Sequence, residues 1–297
     1  MKTPLRYPGG KSRAVKHILP LIPEDCKELC SPFLGGGSVE IAVAQRGAKV
    51  YGYDIFAPLI WFWEALLEDP ERLANIADSY RIEKEYEYRD KVELKKGLPP
   101  ESFRKFRSEI RAELEKKSPQ FSFDLAAKVY AINRSSFSGA TLSGGFSKRA
   151  SYARFTDSSI DRIRNFRQPN LLVQRLDFKE SIKKHPDAFL YLDPPYMLKR
   201  EWIPEHTDER TGKIIDGYWM DRDKLYGKDG DLHSSFDHRG LYEILSKRSN
   251  WVLSYNDIPE IRDLYKDYEI RKADWAYGMK NVTTKKMGSS SELLIIG

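Results

Sequence analysis

The tetrapeptide Asp193-Pro194-Pro195-Tyr196 is the part of this sequence best suited to chemistry. It follows the apolar run 188–192, which is typical of a buried strand. We therefore expect it at the carboxyl end of that strand, where open α/β sheets place their ligands. Two prolines fix φ and remove two backbone donors, which leaves the Asp193 carboxylate and the Pro194 carbonyl as fixed acceptors beside the flat ring of Tyr196. Such a corner suits a planar group bearing an exocyclic amine, and a plain turn after a strand is the alternative.

A glycine-rich loop, Ser31 to Ser38, lies between a predicted strand and a predicted helix. Glycines there let the backbone approach a ligand closely, and the amino end of a helix favours an anionic group. At the end of the next strand, Asp54 stands at a spacing typical of an acidic residue that binds ribose hydroxyls. The loop residues Phe33, Gly35 and Gly37, together with Asp54, therefore predict an adenosyl or nucleotide ligand.

A third strand ends just before Asp177 and Phe178. Asp177 could accept a hydrogen bond from an adenine ring, and Phe178 could lie flat beside it. Asp177 could equally cap the helix that follows.

The segment around Lys11 resembles the end of a triphosphate-binding loop, because Gly10 and Ser12 flank the lysine. The first glycine of such a loop is replaced by Leu5, however, and no strand precedes it, so we reject an ATPase. We expect Lys11 instead to hold the carboxylate of a methionine and Tyr7 to cover a sulfonium cation.

Composition narrows the class of protein only modestly. The 297 residues are 40% hydrophobic, and no apolar run reaches the length of a membrane helix. The start lacks the hydrophobic stretch of a secretion signal, so we expect a cytoplasmic protein with no membrane partner. Two cysteines and five scattered histidines form no metal-ligand spacing, which predicts no metal site.

Positive charge is concentrated in residues 128–167, where eight Lys and Arg face two Asp and aromatic residues are interleaved. This pattern is typical of a surface that contacts phosphates and bases, although a solvated basic face would look similar. Arginine reads guanine and asparagine reads adenine in the major groove, although either can contact phosphate instead. The predicted contacts with nucleic acid are Asn133, Arg134, Ser136, Lys148 and Arg149.

Strands and helices alternate at both ends of the sequence, which favours an α/β fold with a doubly wound sheet. The middle of the chain reads differently: residues 83–96 and 101–117 are charged and helical in period. We therefore expect a catalytic domain over 1–62 and 166–297, with an inserted, mainly helical domain over 63–165. The predicted strands cover residues 27–31, 48–53, 171–174, 188–192, 251–255, 268–272 and 292–296.

Taken in order, these motifs resemble the Dam-like class of DNA adenine-N6 methyltransferases. The matching segments are Arg6-Tyr7-Pro8-Gly9-Gly10-Lys11, Pro32-Phe33-Leu34-Gly35-Gly36-Gly37-Ser38, Asp54, Asn133-Arg134-Ser135-Ser136-Phe137-Ser138-Gly139, Asp193-Pro194-Pro195-Tyr196, Phe236-Asp237-His238-Arg239-Gly240-Leu241, Leu253-Ser254-Tyr255-Asn256 and Glu292-Leu293-Leu294-Ile295-Ile296. The resemblance implies S-adenosylmethionine as methyl donor and a seven-stranded Rossmann-like methyltransferase sheet with an inserted target-recognition domain. It also implies cofactor contacts at Tyr7, Lys11, Asp54 and Asp193, and a catalytic corner at residues 193–196.

Two features depart from the family pattern. The family usually has an acidic residue where this chain has Ser31, which places one cofactor hydrogen bond in question. The segment 197–235 is longer and more polar than usual, and we expect it to be mobile or to form a lid.

The expected reaction is methyl transfer to the N6 amine of an adenine flipped out of double-stranded DNA and stacked on Tyr196. Phe236 is a candidate for the opposite face of the base, with an ordinary core role as the alternative. Cytosine-N4 methylation and RNA adenine methylation remain open, as do a DNA-binding protein without catalysis and a protein methyltransferase. We expect a monomer or weak dimer with a possible cognate restriction endonuclease.

Overall fold

The computed structural model describes residues 2–89, 91–197, 199–203, 206–207, 214–215, 218–222, 236–275 and 290–297. The prediction of a mobile segment or lid over 197–235 lies mostly outside these residues. Within the described part of the chain, no helix combines the length and apolarity needed to cross a bilayer.

Helices and strands alternate along most of the described chain. The α-helices are α1 Val15–Ile18, α2 Ser38–Ala44, α3 Ala57–Glu68, α4 Pro70–Ser79, α5 Pro100–Leu114, α6 Phe123–Ser135, α7 Lys148–Arg154, α8 Asp157–Arg164, α9 Phe178–Lys184, α10 His238–Leu245 and α11 Pro259–Leu264. The strands are β1 Glu28–Ser31, β2 Lys49–Asp54, β3 Ile82–Tyr88, β4 Lys91–Gly97, β5 Leu171–Arg175, β6 Phe189–Leu192, β7 Lys199–Ile203, β8 His206–Thr207, β9 Ile214–Ile215, β10 Tyr218–Arg222, β11 Trp251–Asn256, β12 Glu269–Trp275 and β13 Ser290–Ile296.

Seven of the described strands form one sheet in the order β12-β13-β11-β6-β1-β2-β5. The strands from β11 to β5 are parallel, whereas β13 runs antiparallel between β11 and β12. All seven predicted strands are found in this sheet, and the prediction of a Rossmann-like α/β fold is confirmed.

Each face of the sheet carries its own apolar core, because successive side chains of a strand point to opposite sides. In β6, Leu190 and Leu192 pack with residues of α9, α10 and α11, while Tyr191 belongs to the core on the other face. Helices α2 and α3 contribute to that second core, which continues into the middle segment through α6. Both faces are therefore covered by helices, as the near-continuous apolar strands require.

The order of strands reverses at β1, which pairs with β2 on one side and with β6 on the other. Ligands of open α/β sheets bind in the crevice beyond the carboxyl ends of the strands at such a switch point. Here β1 ends at Ser31, before the glycine loop, and β6 ends at Leu192, before Asp193. The topology therefore brings the two predicted motifs side by side.

The middle segment is mainly helical but also contains a hairpin of β3 and β4. The prediction of a helix over residues 83–96 is wrong, whereas the helix predicted over 101–117 is found as α5. The many Lys and Glu residues of this segment are good helix formers. In the strand, however, Tyr86 is buried between exposed neighbours, and its ring stacks on Tyr152 of α7. Pairing of the two strands and packing on α7 thus prevail over local helix propensity. The domain boundaries at 62/63 and 165/166 stay a prediction.

Candidate active site

A cavity of about 370 Å³ opens between the glycine loop and the loop that follows β6. Its volume lies at the small end of the range of ligand pockets. It is lined by every residue predicted to bind the cofactor or to act in catalysis: Tyr7, Lys11, Phe33, Gly35, Gly37, Asp54, Asp177, Phe178, Asp193, Pro194, Pro195 and Tyr196. One continuous cavity thus joins the two motifs, while the role of each residue stays a prediction.

The glycine turn is packed against two aromatic rings. Gly35 and Gly37 have φ angles of +47° and +66°, a region that other residues rarely adopt. A Cβ atom on Gly37 would lie 2.6 Å from Cζ2 of Trp63, and one on Gly35 would lie 3.1 Å from the Tyr7 ring. The turn therefore requires glycine for conformation and for space, and Tyr7 forms its supporting surface.

Asp54 joins β2 to the glycine turn. Its Oδ2 accepts a hydrogen bond from the Gly35 N–H at 3.1 Å, and its Oδ1 accepts one from the Phe56 N–H at 3.0 Å. Burial raises the pKa of Asp54 to about 6, and these two hydrogen bonds oppose the shift. The carboxylate is thus fixed at the rim of the cavity, where a ribose contact remains our expectation.

Three phenylalanine rings form one wall of the cavity. Phe33 stacks on Phe178 with ring centroids 5.7 Å apart, and Phe236 meets Phe33 edge-on at 5.5 Å. Asp177 accepts a hydrogen bond from the Lys179 N–H at 2.8 Å and so caps α9, as the alternative interpretation expects. The contacts of Phe236 place it in this aromatic wall, which favours a packing role over the opposite face of a target base.

The predicted catalytic corner, residues 193–196, lies against the buried side chain of Lys11. Lys11 Nζ lies 2.7 Å from Asp193 Oδ1, 3.1 Å from the Gly9 carbonyl oxygen and 5.0 Å from the centroid of the Tyr196 ring. Burial raises the pKa of Asp193, and the Lys11 ammonium opposes that rise. In the structure the predicted carboxylate-binding lysine and the predicted catalytic aspartate are therefore ion-pair partners.

Glu292 completes this corner from β13. Its Oε1 accepts a hydrogen bond from the Tyr196 hydroxyl at 2.7 Å and lies 3.8 Å from Lys11 Nζ. The Tyr196 ring also stacks on Tyr255 at 5.8 Å, so the ring expected to hold a base already has protein neighbours. Sequence reasoning noticed Glu292 only as part of a terminal motif and gave it no role.

A second carboxylate missed by sequence reasoning is Glu40 of α2. It is buried at the cavity wall, and its Oε1 accepts a 2.6 Å hydrogen bond from the Ser31 hydroxyl. Burial raises its pKa to about 7. Glu40 therefore places a carboxyl group next to Ser31, the position at which the sequence departs from the expected acidic residue.

Three of the predicted DNA contacts are structural instead. Asn133 is 2% exposed, accepts a hydrogen bond from the Arg6 N–H at 3.0 Å, and donates to the carbonyl oxygens of Arg6 and Gly139. Arg134 is buried and donates to the carbonyl oxygens of Arg154 and Pro4. These side chains hold the middle segment to the amino-terminal segment, so the expectation that they contact bases is corrected.

Ser136 is corrected for the same reason. It is fully buried, and its hydroxyl donates to the Asn133 carbonyl oxygen at 3.3 Å. Lys148 and Arg149, by contrast, are exposed at the start of α7 and remain candidates for DNA contact.

Comparison with known proteins agrees with this geometry. The family described as D12 class N6 adenine-specific DNA methyltransferase matches residues 7–210. The type II methyltransferase M1.LlaDCHI of Lactococcus lactis subsp. cremoris is 24% identical over 300 residues, which cover 98% of this chain and 93% of that protein. The type II methyltransferase M.CviBI of Paramecium bursaria Chlorella virus NC1A is 22% identical over 206 residues, covering 66% of this chain and 69% of that protein.

The family match spans more than half of the chain and includes both motifs that meet at the cavity. The resemblance to the Dam-like class is thereby confirmed. The chain belongs to the D12 class N6 adenine-specific DNA methyltransferases.

Proposed function

We propose that the cavity binds S-adenosylmethionine and that the chain methylates the N6 amine of an adenine flipped out of a specific site in double-stranded DNA. The observation that carries the proposal is the single cavity that joins the glycine turn to the Asp193 corner. A methyl donor and an acceptor amine must meet in line at one point, and a shared cavity provides that meeting point.

The lining of the cavity fits an adenosyl sulfonium compound. One wall offers the aromatic faces of Phe33 and Phe178, with Asp177 and Asp54 as acceptors beside them. The cavity is also lined by the carboxyl groups of buried Glu40 and partly exposed Asp193, whose ionised forms favour a cationic ligand. S-adenosylmethionine supplies an electrophilic methyl group on its sulfonium.

The residues of the corner activate the amine by binding its protons. An aromatic amine is a weak nucleophile because its lone pair is delocalised into the ring. The Asp193 carboxylate and the Pro194 carbonyl are acceptors for its two N–H groups, which localises the lone pair and stabilises the positive charge that develops on nitrogen. The two prolines hold these acceptors rigidly, so this geometry requires no reorganisation during the transfer.

The DNA-facing surface is proposed to lie at the tip of the β3–β4 hairpin and the start of α7. Both the Arg89 and Arg149 guanidinium groups lie over the Tyr88 ring, at 5.2 and 5.0 Å, and all three residues are exposed together with Lys91 and Lys148. A basic cluster around an aromatic ring suits phosphate contact and base stacking. We further propose a monomer or weak dimer, and a cognate restriction endonuclease as a partner, since both relatives are type II methyltransferases.

The test compares Asp193→Ala with the native chain on unmethylated genomic DNA. Each protein is incubated with labelled S-adenosylmethionine, and modified bases are mapped by direct sequencing and identified as nucleosides after digestion. Asp187→Ala is the matched control, because Asp187 is an exposed aspartate at the opposite end of β6. Circular dichroism and thermal unfolding verify that each variant is folded.

We expect N6-methyladenine at one short sequence with the native chain and with Asp187→Ala, and a loss of at least 100-fold with Asp193→Ala, in line with the removal of one transition-state acceptor. Methylation of cytosine, methylation of RNA alone, or equal methylation by Asp193→Ala would each contradict the proposal.

A further inference from the structure

Glu292 lies in the catalytic corner but has no part in the mechanism above. Glu292 is 1% exposed, its Oε1 accepts a hydrogen bond from the Tyr196 hydroxyl at 2.7 Å, and Lys11 Nζ lies 3.8 Å from the same oxygen. Its Oε2 has no hydrogen-bond partner among the residues that the structure describes. Burying a carboxylate oxygen without a hydrogen bond costs folding free energy, so the presence of Glu292 at this point calls for a function.

Two carboxylates compete for the Lys11 ammonium. In the structure Lys11 Nζ lies 2.7 Å from Asp193 Oδ1 and 3.8 Å from Glu292 Oε1, so a small movement of the lysine would exchange its partner. One lysine neutralises one of them, and the second negative charge is unfavourable in a buried site. Burial raises the pKa of Glu292 to about 7, Lys11 opposes this rise, and Asp193 adds to it. The two carboxylates therefore titrate as a coupled pair.

The position of Lys11 matters because the amine needs Asp193 as its acceptor. While Lys11 donates to Asp193, that carboxylate is partly neutralised and attracts an N–H group less strongly. A second acceptor within reach of the same ammonium would relieve this competition. Glu292 occupies the place where such an acceptor is needed.

We propose that Glu292 is a positioning residue for methyl transfer, which draws Lys11 from Asp193 as the target amine enters and holds the Tyr196 ring by its hydroxyl. This inference rests on the proposed function. It assigns Glu292 no contact with the reacting atoms, since Glu292 acts through Lys11 and Tyr196.

The groups that face Glu292 support this assignment. Charged groups reach it from the amino-terminal segment as Lys11 and from the loop after β6 as Asp193, while the titratable hydroxyls of Tyr196 and Tyr191 also lie close. Its partners across the sheet are uncharged, Asn256 on β11 and Ala273 on β12. Within the described residues, Lys11 is thus the cation that interacts with Glu292.

The test replaces the charge and keeps the shape. Glu292→Gln retains an acceptor for the Tyr196 hydroxyl but cannot ionise. Glu292→Asp keeps the negative charge on a side chain that is one methylene shorter. Glu269→Gln is the matched control, because Glu269 is an exposed glutamate on the neighbouring strand β12. For each protein, kcat and KM for DNA are measured from pH 5.5 to 9.

We expect kcat of the native chain to rise with pH through about 7 as Glu292 ionises. Glu292→Gln is expected to lose that rise and to fall about tenfold in kcat at pH 8, a change of about 1.4 kcal/mol in activation free energy, with KM for DNA little changed. Glu292→Asp should keep the rise at a reduced kcat, and Glu269→Gln should match the native chain.

A second readout does not depend on activity. Carboxyl-carbon NMR of the cofactor-free protein should show a glutamate that titrates near pH 7 and is absent from Glu292→Gln; Glu40→Gln identifies the other glutamate raised to this range. In Lys11→Ala the Glu292 signal should titrate at higher pH, because its cation is lost.

Three results would overturn the proposal. The first is a pH profile and kcat in Glu292→Gln that equal those of the native chain. The second is a loss of kcat that is the same at every pH in both Glu292→Gln and Glu292→Asp. The third is a Glu292 NMR signal whose titration pH does not change in Lys11→Ala. A native chain that methylates no adenine would reject the proposed function instead, and the NMR titration would still report on the Glu292–Lys11 pair.

Discussion

Single residues in this structure divide into those that form the cavity and those that hold the chain together. Asn133 illustrates why residue type and charge pattern do not separate the two groups. It stands in a basic, serine-rich window, as a base-reading asparagine would, yet each of its polar atoms is bonded to the protein. Burial decides between these roles, and the sequence alone does not reveal it.

Replacing Asn133 by alanine should therefore reduce stability. The change leaves the N–H and the carbonyl oxygen of Arg6 without Asn133 and removes one of the two donors to the Gly139 carbonyl oxygen, which costs about 2–4 kcal/mol of unfolding free energy. Urea unfolding of the variant measures this loss. Lys148→Ala is the contrasting control, since an exposed lysine should leave stability unchanged and weaken DNA binding in filter assays. Native stability in Asn133→Ala would contradict the structural role.

Glu40 shows a site residue that sequence reasoning could have found. A glutamate within the first turn of an otherwise apolar helix, directly after a glycine loop, breaks the hydrophobic pattern of α2. Such an interruption indicates a carboxylate with a specific partner. Its partner, Ser31, lies on the preceding strand, and only the folded strand–turn–helix unit brings the two together.

Among the elements, the strands of the sheet were predictable because most of them are short, apolar and separated by enough chain for a crossover. Six of the seven predicted strands lie within two residues of their observed bounds, and the seventh, 268–272, ends three residues before Trp275. The β3–β4 hairpin was not predictable from the sequence. Its many Lys and Glu residues favour a helix, and only a few aromatic residues indicate the alternation of buried and exposed side chains that is typical of a strand. Charged elements that obtain their order from a distant contact are the ones that sequence patterns misassign.

That contact can be tested on the hairpin itself. Tyr86 is buried and its ring stacks on Tyr152 with centroids 4.9 Å apart. Tyr86→Ala should detach the hairpin from α7 at a cost of about 2–3 kcal/mol, whereas Tyr86→Phe should retain the stacking. Hydrogen exchange measures the effect as faster exchange of residues 82–97. Unchanged protection of these amides in Tyr86→Ala would mean that the hairpin is ordered by other contacts.

At the scale of the whole molecule, buried carboxylates link stability to pH. Burial raises the pKa of Glu40 to about 7 from the 4.5 of an exposed glutamate. Between these values the folded protein binds a proton that the unfolded chain has lost, so unfolding free energy falls as pH rises. Above pH 7 both states are ionised, and the loss from this group is complete.

Glu40→Gln should remove that dependence. Glutamine still accepts the Ser31 hydroxyl but does not ionise, so we expect the cofactor-free variant to be about 1–3 kcal/mol more stable than the native chain at pH 8. The difference should shrink or reverse at pH 5, where the native carboxyl is protonated. Denaturant unfolding at the two pH values measures it, and a native pH slope in the variant would show that Glu40 is not the group responsible.

The antiparallel position of β13 also has a consequence for synthesis. Because β13 lies between β11 and β12 in the sheet and follows both in the chain, a nascent chain that has emerged only as far as β12 lacks the strand that joins them. Lys11 is synthesised long before Glu292, its neighbour in the folded corner. A nascent chain that already contains the glycine turn should thus not methylate DNA before β13 has been added. Truncation of the chain ahead of β13 should abolish methylation rather than weaken it.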